Sequence, residues 1–140
     1  MSELNNIALK ILNNGKGILA ADESTSTMTK RLESVKVQST AENRLLFREI
    51  LFSASGMTEF IGGVILYDET IKQITSKKNK IPELISAMGS TPGIKVDTGA
   101  KVLAGSIKEK ITEGLDGLRE RLKEYYNLGA KFTKWRGVYN

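Results

Sequence analysis

The chain contains no cysteine and no histidine. Without cysteine there are no disulfides and no thiol nucleophile. Without histidine there is no histidine-based triad, and without either there is no zinc finger. Proton transfer then falls to Asp, Glu, Lys or Tyr, and a metal site would need oxygen ligands alone. The apolar runs fall well short of the ~20 residues of a membrane helix. Glu3, Asn5 and Asn6 stand where a secretory signal needs basic and then apolar residues. The expectation is a cytoplasmic protein. Neither Gly-x-Gly-x-x-Gly nor the Walker phosphate loop occurs, which counts against nucleotide binding.

What is present suits one soluble domain: 140 residues, 40% hydrophobic and 26% charged. The net charge of +5 admits anionic partners. The basic residues are scattered, however. The densest run, Lys77-Lys78-Asn79-Lys80, has no interleaved aromatic to stack on a base. It reads as a solvated loop, so neither nucleic acid nor membrane is expected as a partner.

Along the chain, Leu4, Ile7, Ala8, Ile11 and Leu12 fall at helical spacing and predict a helix over 3–13, stopped by Asn14-Gly15. The run 17–21 predicts a strand, and a short helix is placed around Met28 to Leu32. Ser39-Thr40-Ala41-Glu42 matches a capping box with Ser39 as cap. The helix behind it carries Leu46, Phe47, Ile50, Leu51 and Ala54 on one side and ends at Gly56. Further strands are expected at 61–67, 93–97 and 130–136. A helix is expected from Pro82 to Met88, and the loop 98–106 reads as mobile. A long helix is expected over 108–128, with Leu115, Leu118, Leu122 and Tyr125 buried, weakened by Gly114 and Gly117 and ended by Gly129. Strands alternating with helices imply a parallel sheet, in an open Rossmann-like fold or a (β/α)8 barrel.

In either fold the C-terminal strand ends form the site. Those ends carry Asp22 with Glu23 and four hydroxyl residues, Asp68, Lys95 with Asp97, and Lys134 with Arg136. Alternation puts Lys95 and Asp97 on one face, and Lys134 and Arg136 on one face, with Trp135 pointing away. Lys95 lies between Ile94 and Val96 and must be paired, deprotonated or facing a wet cleft, unless it lies on an edge strand facing solvent. Converging cations suit a phosphate or a developing oxyanion, and a desolvated lysine beside another cation can act as base or carbonyl nucleophile. The hydroxyls of Ser24 and Thr27 add phosphate donors. A phosphorylated, carbonyl-containing small molecule is the expected ligand.

Gly15-Lys16-Gly17-Ile18-Leu19-Ala20-Ala21-Asp22-Glu23-Ser24-Thr25 resembles the first-strand signature of class I fructose-1,6-bisphosphate aldolases. Ile61-Gly62-Gly63-Val64-Ile65-Leu66 and Gly93-Ile94-Lys95-Val96-Asp97 resemble that family's second and third strands. Gly114-Leu115-Asp116-Gly117-Leu118 and Lys134-Trp135-Arg136 resemble its third helix and fourth strand. The resemblance runs along essentially the whole chain. It implies a (β/α)8 barrel that reversibly cleaves fructose 1,6-bisphosphate to dihydroxyacetone phosphate and glyceraldehyde 3-phosphate, through a lysine Schiff base and with no metal or other cofactor. Residue by residue, Asp22 matches the aspartate beside the Schiff base that helps carbon–carbon cleavage. Lys134 matches the lysine that neighbours the nucleophile. Lys95 and Arg136 match residues that hold the substrate's oxygens and phosphate. Ser24 matches a phosphate-binding serine, Thr27 stands for a second serine, and Arg31 matches a cleft arginine.

The chain departs from that family in one residue after the second strand and in its length. Asp68 replaces a histidine common after the second strand. A full barrel takes roughly 250 residues, so these four units imply a half-barrel: the N-terminal half of such an enzyme, from a truncated or split gene. The acid/base glutamates of the fifth strand, the Schiff-base lysine of the sixth and the second phosphate site then fall outside it. The expected partners are a sugar phosphate and either further copies of the chain or a complementary C-terminal half. Two alternatives stay open: a non-catalytic half-barrel that self-associates or binds sugar phosphates without turnover, and a different phosphate-binding barrel enzyme.

Overall fold

The computed structural model describes residues 2–138. The order is α1 (Glu3–Leu12), β1 (Gly17–Ala21), α2 (Thr25–Ser34), α3 (Ala41–Phe52), α4 (Met57–Phe60), β2 (Ile61–Leu66), α5 (Asp68–Ile71), α6 (Ile81–Ala87), β3 (Thr91–Lys95), β4 (Gly99–Val102), β5 (Lys110–Glu113), α7 (Leu118–Leu128) and β6 (Phe132–Lys134). Four strands form one parallel sheet, in the order β1-β2-β3-β6. β4 and β5 make a separate antiparallel hairpin. No helix among the described residues is long and apolar enough to cross a membrane.

Strand alternation gives the sheet two different faces. One face carries Ala21, Val64, Leu66, Ile94 and Val96, buried against Phe52, Ile71, Ile81, Ile85 and Tyr125 of the helices. The register Ala20–Ile65–Gly93–Phe132 runs across the other face, and above it Lys95 and Lys134 pair in register. A Cβ on Gly93 would lie 2.4 Å from the Phe132 ring, so the missing side chain is what lets that ring cover the sheet below the lysines. Beneath the sheet, the C-terminal turn of α1 rests on β2, with the Ile11 carbonyl over Gly62.

Several expected elements differ. The helix expected over 108–128 is a hairpin strand, a turn and a shorter helix, because Gly114 (φ 130°) and Gly117 (φ 62°) leave the helical region. Leu115 is consequently outside the helix and 73% exposed, Leu122 is at the surface, and Tyr125 remains buried. The loop 98–106 contains β4. Thr40, not Ser39, caps α3, accepting from the Asn43 N–H, while Ser39 bonds to Thr29 and Arg44. α3 stops at Phe52, before Gly56, and turns Arg48 and Phe52 inward, leaving Leu46 and Ile50 exposed. In α1 only Ile11 is buried, since the helix meets the sheet through its last turn; Leu4 and Leu12 stay exposed. The other strands and short helices lie within a few residues of expectation, and Lys77–Lys80 is exposed.

Candidate active site

Asp22, Ser24, Thr27, Arg31, Lys95, Lys134 and Arg136 all line one open cavity of about 850 Å³ at the C-terminal ends of the parallel strands. Asp68 and Asp97 line it too, and Trp135 is not among its lining residues. The fold explains the convergence. Asp22 follows β1 directly, on the face of Ala20. Lys95 and Lys134 close β3 and β6 as register partners. Arg136 follows two residues later on the same side.

The two lysines stand side by side as the sequence suggests, yet each has its own carboxylate instead of a bare cation as neighbour. Lys134 Nζ donates to Asp22 Oδ2 at 2.6 Å, joining the fourth strand of the sheet to the first. Lys95 Nζ donates to Asp97 Oδ1 at 2.7 Å and to the Asp97 carbonyl at 2.6 Å. Lys95 is thus paired within the cleft and does not project from a solvated edge. The guanidinium of Arg136 is exposed and meets no carboxylate among the described residues. It is available to an anionic ligand.

Ser24 caps α2: its Oγ accepts from the Thr27 N–H and lies 3.1 Å from Thr27 Oγ1. Both hydroxyls therefore sit at the positive end of a ten-residue helix that opens on the cavity. Arg31, one turn further on, pairs with Glu23.

Sequence reasoning missed the frame behind these groups. Arg48 is 2% exposed, and its Nη2 donates to Glu23 Oε2 at 3.0 Å and to the Glu23 carbonyl at 3.1 Å. Burial pulls the Arg48 pKa down, against the opposing pull of Glu23. Arg48 thereby pins the turn between Asp22 and Ser24. The available signal was its place four residues before Phe52, one arginine on an inward helix face. On the opposite wall, the Tyr125 hydroxyl donates to Asp68 Oδ1 at 2.9 Å, and Lys72 reaches Asp68 at 2.8 Å and Glu124 at 3.1 Å. Arg121 donates to the carbonyls of Val96 at 3.0 Å and Gly114 at 2.5 Å.

These contacts set the acid limb of stability. Burial works against ionisation of Asp97 and Asp68. For Asp97, Lys95 and the N–H groups of Arg136 and Gly99 more than offset it; for Asp68, Lys72 and Tyr125 do. Both carboxyls lie below their ordinary values. The hydrogen bonds from Arg44 hold Glu69 down in the same way. A carboxylate depressed in the folded state contributes stability above its unfolded pKa and loses it as pH falls through the folded value. The melting temperature is expected to hold from neutrality to about pH 5 and to drop progressively below it. Thermal melts at a series of pH values check this; a melting temperature that held or rose below pH 4 would contradict it.

A family model described as fructose-bisphosphate aldolase class-I matches residues 3–140. A probable fructose-bisphosphate aldolase class 1 of Xanthomonas axonopodis pv. citri is 54% identical over 126 residues, 90% of this chain and 38% of that protein. A protein of the same description from Xylella fastidiosa is 48% identical over all 140 residues, 42% of its own length. A solved fructose-bisphosphate aldolase from Plasmodium falciparum superposes with a TM-score of 0.93 at 47% identity, over 97% of this chain and 39% of that one. The chain therefore spans only about two-fifths of the relatives it matches, 38–42% for the two bacterial proteins. With the family model spanning nearly every residue, the chain belongs to the class I fructose-bisphosphate aldolase family.

Proposed function

We propose that the chain supplies the first four β/α units of a (β/α)8 barrel in a glycolytic, cytoplasmic class I aldolase. That enzyme cleaves fructose 1,6-bisphosphate reversibly to dihydroxyacetone phosphate and glyceraldehyde 3-phosphate. One observation carries this reading: Asp22, Lys134, Lys95 and Arg136 converge on one cavity at the C-terminal strand ends, the place where barrel and open-sheet enzymes build their sites. In this reading Lys95 and Arg136 hold the sugar phosphate's oxygens. Ser24 and Thr27, at the start of α2, and Arg31 hold phosphate. Asp22 and Lys134 act as a catalytic pair. Lys134 supplies positive charge and passes protons, and Asp22 holds it and helps carbon–carbon cleavage. The Schiff-base lysine belongs to a later strand, so the four units provide binding and proton handling without the nucleophile.

The test is reductive trapping. The chain is incubated with dihydroxyacetone phosphate, reduced with borohydride and read by intact mass and peptide mapping. No lysine adduct is expected, whereas titration should detect sugar-phosphate binding that weakens about tenfold in Lys95→Ala and in Arg136→Ala. An adduct on Lys134 or Lys95 would move the nucleophile into this chain. Unchanged affinity in both variants would remove the binding assignment.

A second reading rests on the sheet edges. Among the described residues, β1 and β6 each pair on one side only, and Ile18 of β1 is 47% exposed. Open parallel edges favour pairing with another chain, either a second copy or a complementary half. A dimer that binds sugar phosphate without turnover, seen by sedimentation, would favour it.

A further inference from the structure

We infer that Asp97 is a positioning residue that sets Lys95 and Arg136 as a two-cation receiver for one anionic group of the ligand. This rests on the sugar-phosphate reading above and assigns the site a part that the catalytic and binding set does not contain.

The Asp97 side chain is 1% exposed, and its two oxygens hold three separate stretches of chain. Oδ1 accepts from Lys95 Nζ at 2.7 Å and from the Gly99 N–H, at the start of the hairpin, at 3.2 Å. Oδ2 accepts from the Arg136 N–H at 3.1 Å. Arg136 lies two residues beyond the end of β6, so no sheet ladder fixes it. What fixes it is a clamp on both sides of its peptide unit: Asp97 takes the N–H, and Thr112 Oγ1 of β5 donates to the carbonyl at 2.8 Å. The hairpin is itself fastened at its base, where Thr98 N–H bonds the Glu113 carbonyl at 2.9 Å and Arg121 holds the Gly114 carbonyl. Only Gly fits there, because a Cβ at position 114 would lie 2.9 Å from the Thr98 nitrogen. One buried carboxylate therefore sets the spacing between the Lys95 ammonium and the Arg136 backbone, as a supporting hydrogen bond does for a preorganised binding group.

The sign of the effect separates this role from a simpler one. By charge alone, Asp97 repels an anion, so Asp97→Asn would tighten anion binding. As a positioning residue it must weaken binding when neutralised, because Lys95 and Arg136 lose their common reference. The experiment titrates the 140-residue chain and its Asp97→Asn variant with dihydroxyacetone phosphate, following backbone amide shifts by NMR and affinity by calorimetry. The expected result is an affinity loss of about tenfold and loss of the ligand-induced shifts at the Lys95 and Arg136 amides. A purely structural Asp97 would lower the melting temperature and leave affinity and those shifts intact in the folded protein, which would overturn the inference. Equal or tighter binding by Asp97→Asn, while Lys95→Ala and Arg136→Ala still weaken binding, would overturn it and leave the sugar-phosphate reading standing. Absence of binding by the unaltered chain would overturn both. Thr112→Val covers the case in which Asp97→Asn does not fold. It keeps a β-branched residue in the hairpin and removes one side of the clamp, so affinity should fall about twofold to threefold; an unchanged affinity there counts against the inference.

Discussion

Arg48→Met is expected to destabilise the chain by about 3 kcal/mol, toward the lower end for breaking a buried ion pair. The methionine fills similar volume and matches the apolar neighbours of α3, so packing is nearly conserved. What is lost is the guanidinium that holds the Glu23 carboxylate, the Glu23 carbonyl and Thr70 Oγ1. Glu23 is 13% exposed and keeps only Arg31, whose own side chain is 57% exposed, so the carboxylate is left mostly buried and half-compensated. Two features limit the loss. Arg48 is itself costly to bury, and its Nε has no hydrogen-bond partner among the described residues, so the native pair carries a standing penalty. The double variant Glu23→Gln/Arg48→Met should therefore recover part of the loss, a non-additivity that urea denaturation can measure. If the single variant lost less than about 1 kcal/mol, or the double lost the plain sum, Arg48 would not be holding Glu23 in place. The consequence reaches the site, because the pinned turn lies between Asp22 and Ser24. A folded Arg48→Met chain should show broadened amide signals from 22 to 27.

Arg48 also marks the limit of what a sequence shows here. The first two parallel strands were legible because they are short apolar runs ending in acids and hydroxyls. Gly17–Ala21 falls where the pattern places it. The rest of the site followed from alternation: if Lys95 faces the cleft, Asp97 does too. The hairpin was not legible, since Leu115, Leu118, Leu122 and Tyr125 continue a helical period across a boundary that only the backbone angles of Gly114 and Gly117 reveal. A period of 3.6 is blind to a residue with positive φ unless the glycine is read as a break. The capping residue shifted by one for a related reason: Ser39 and Thr40 are equivalent caps by type, and tertiary bonds to Thr29 and Arg44 claimed Ser39. The Glu23–Arg48 pair joins residues 25 apart on different elements, and no local pattern encodes it. The groups proposed to meet the ligand could be named from the sequence. The groups that hold them, Arg48, Arg121 and the clamp on Arg136, required the fold.

Gly62→Ala is expected to cost at least about 3 kcal/mol, the upper range for overpacking, while leaving the sugar-phosphate affinity of the folded molecules unchanged. A Cβ there would lie 1.8 Å from the Ile11 carbonyl oxygen and 2.7 Å from its carbon. Those are backbone atoms and cannot rotate away, so α1 must lift from the sheet and take the buried Ile11 side chain with it. Gly17→Ala is the matched control. It sits at the start of β1, beside Ile61 in register. Its Cβ would meet nothing nearer than the Phe60 carbonyl at 3.9 Å, so stability should change by less than about 1 kcal/mol. Both positions lie at the N-terminal ends of the strands, away from the cavity. Parallel α/β proteins divide labour between the two ends of the sheet, with stability below and chemistry above. Arg136→Ala is then the mirror experiment, since it removes an exposed guanidinium with no carboxylate partner among the described residues. It should lower affinity about tenfold and stability hardly at all. If Gly62→Ala weakened ligand binding in proportion to its loss of stability, the two ends would be one cooperative unit, and the cavity would depend on α1 for its shape.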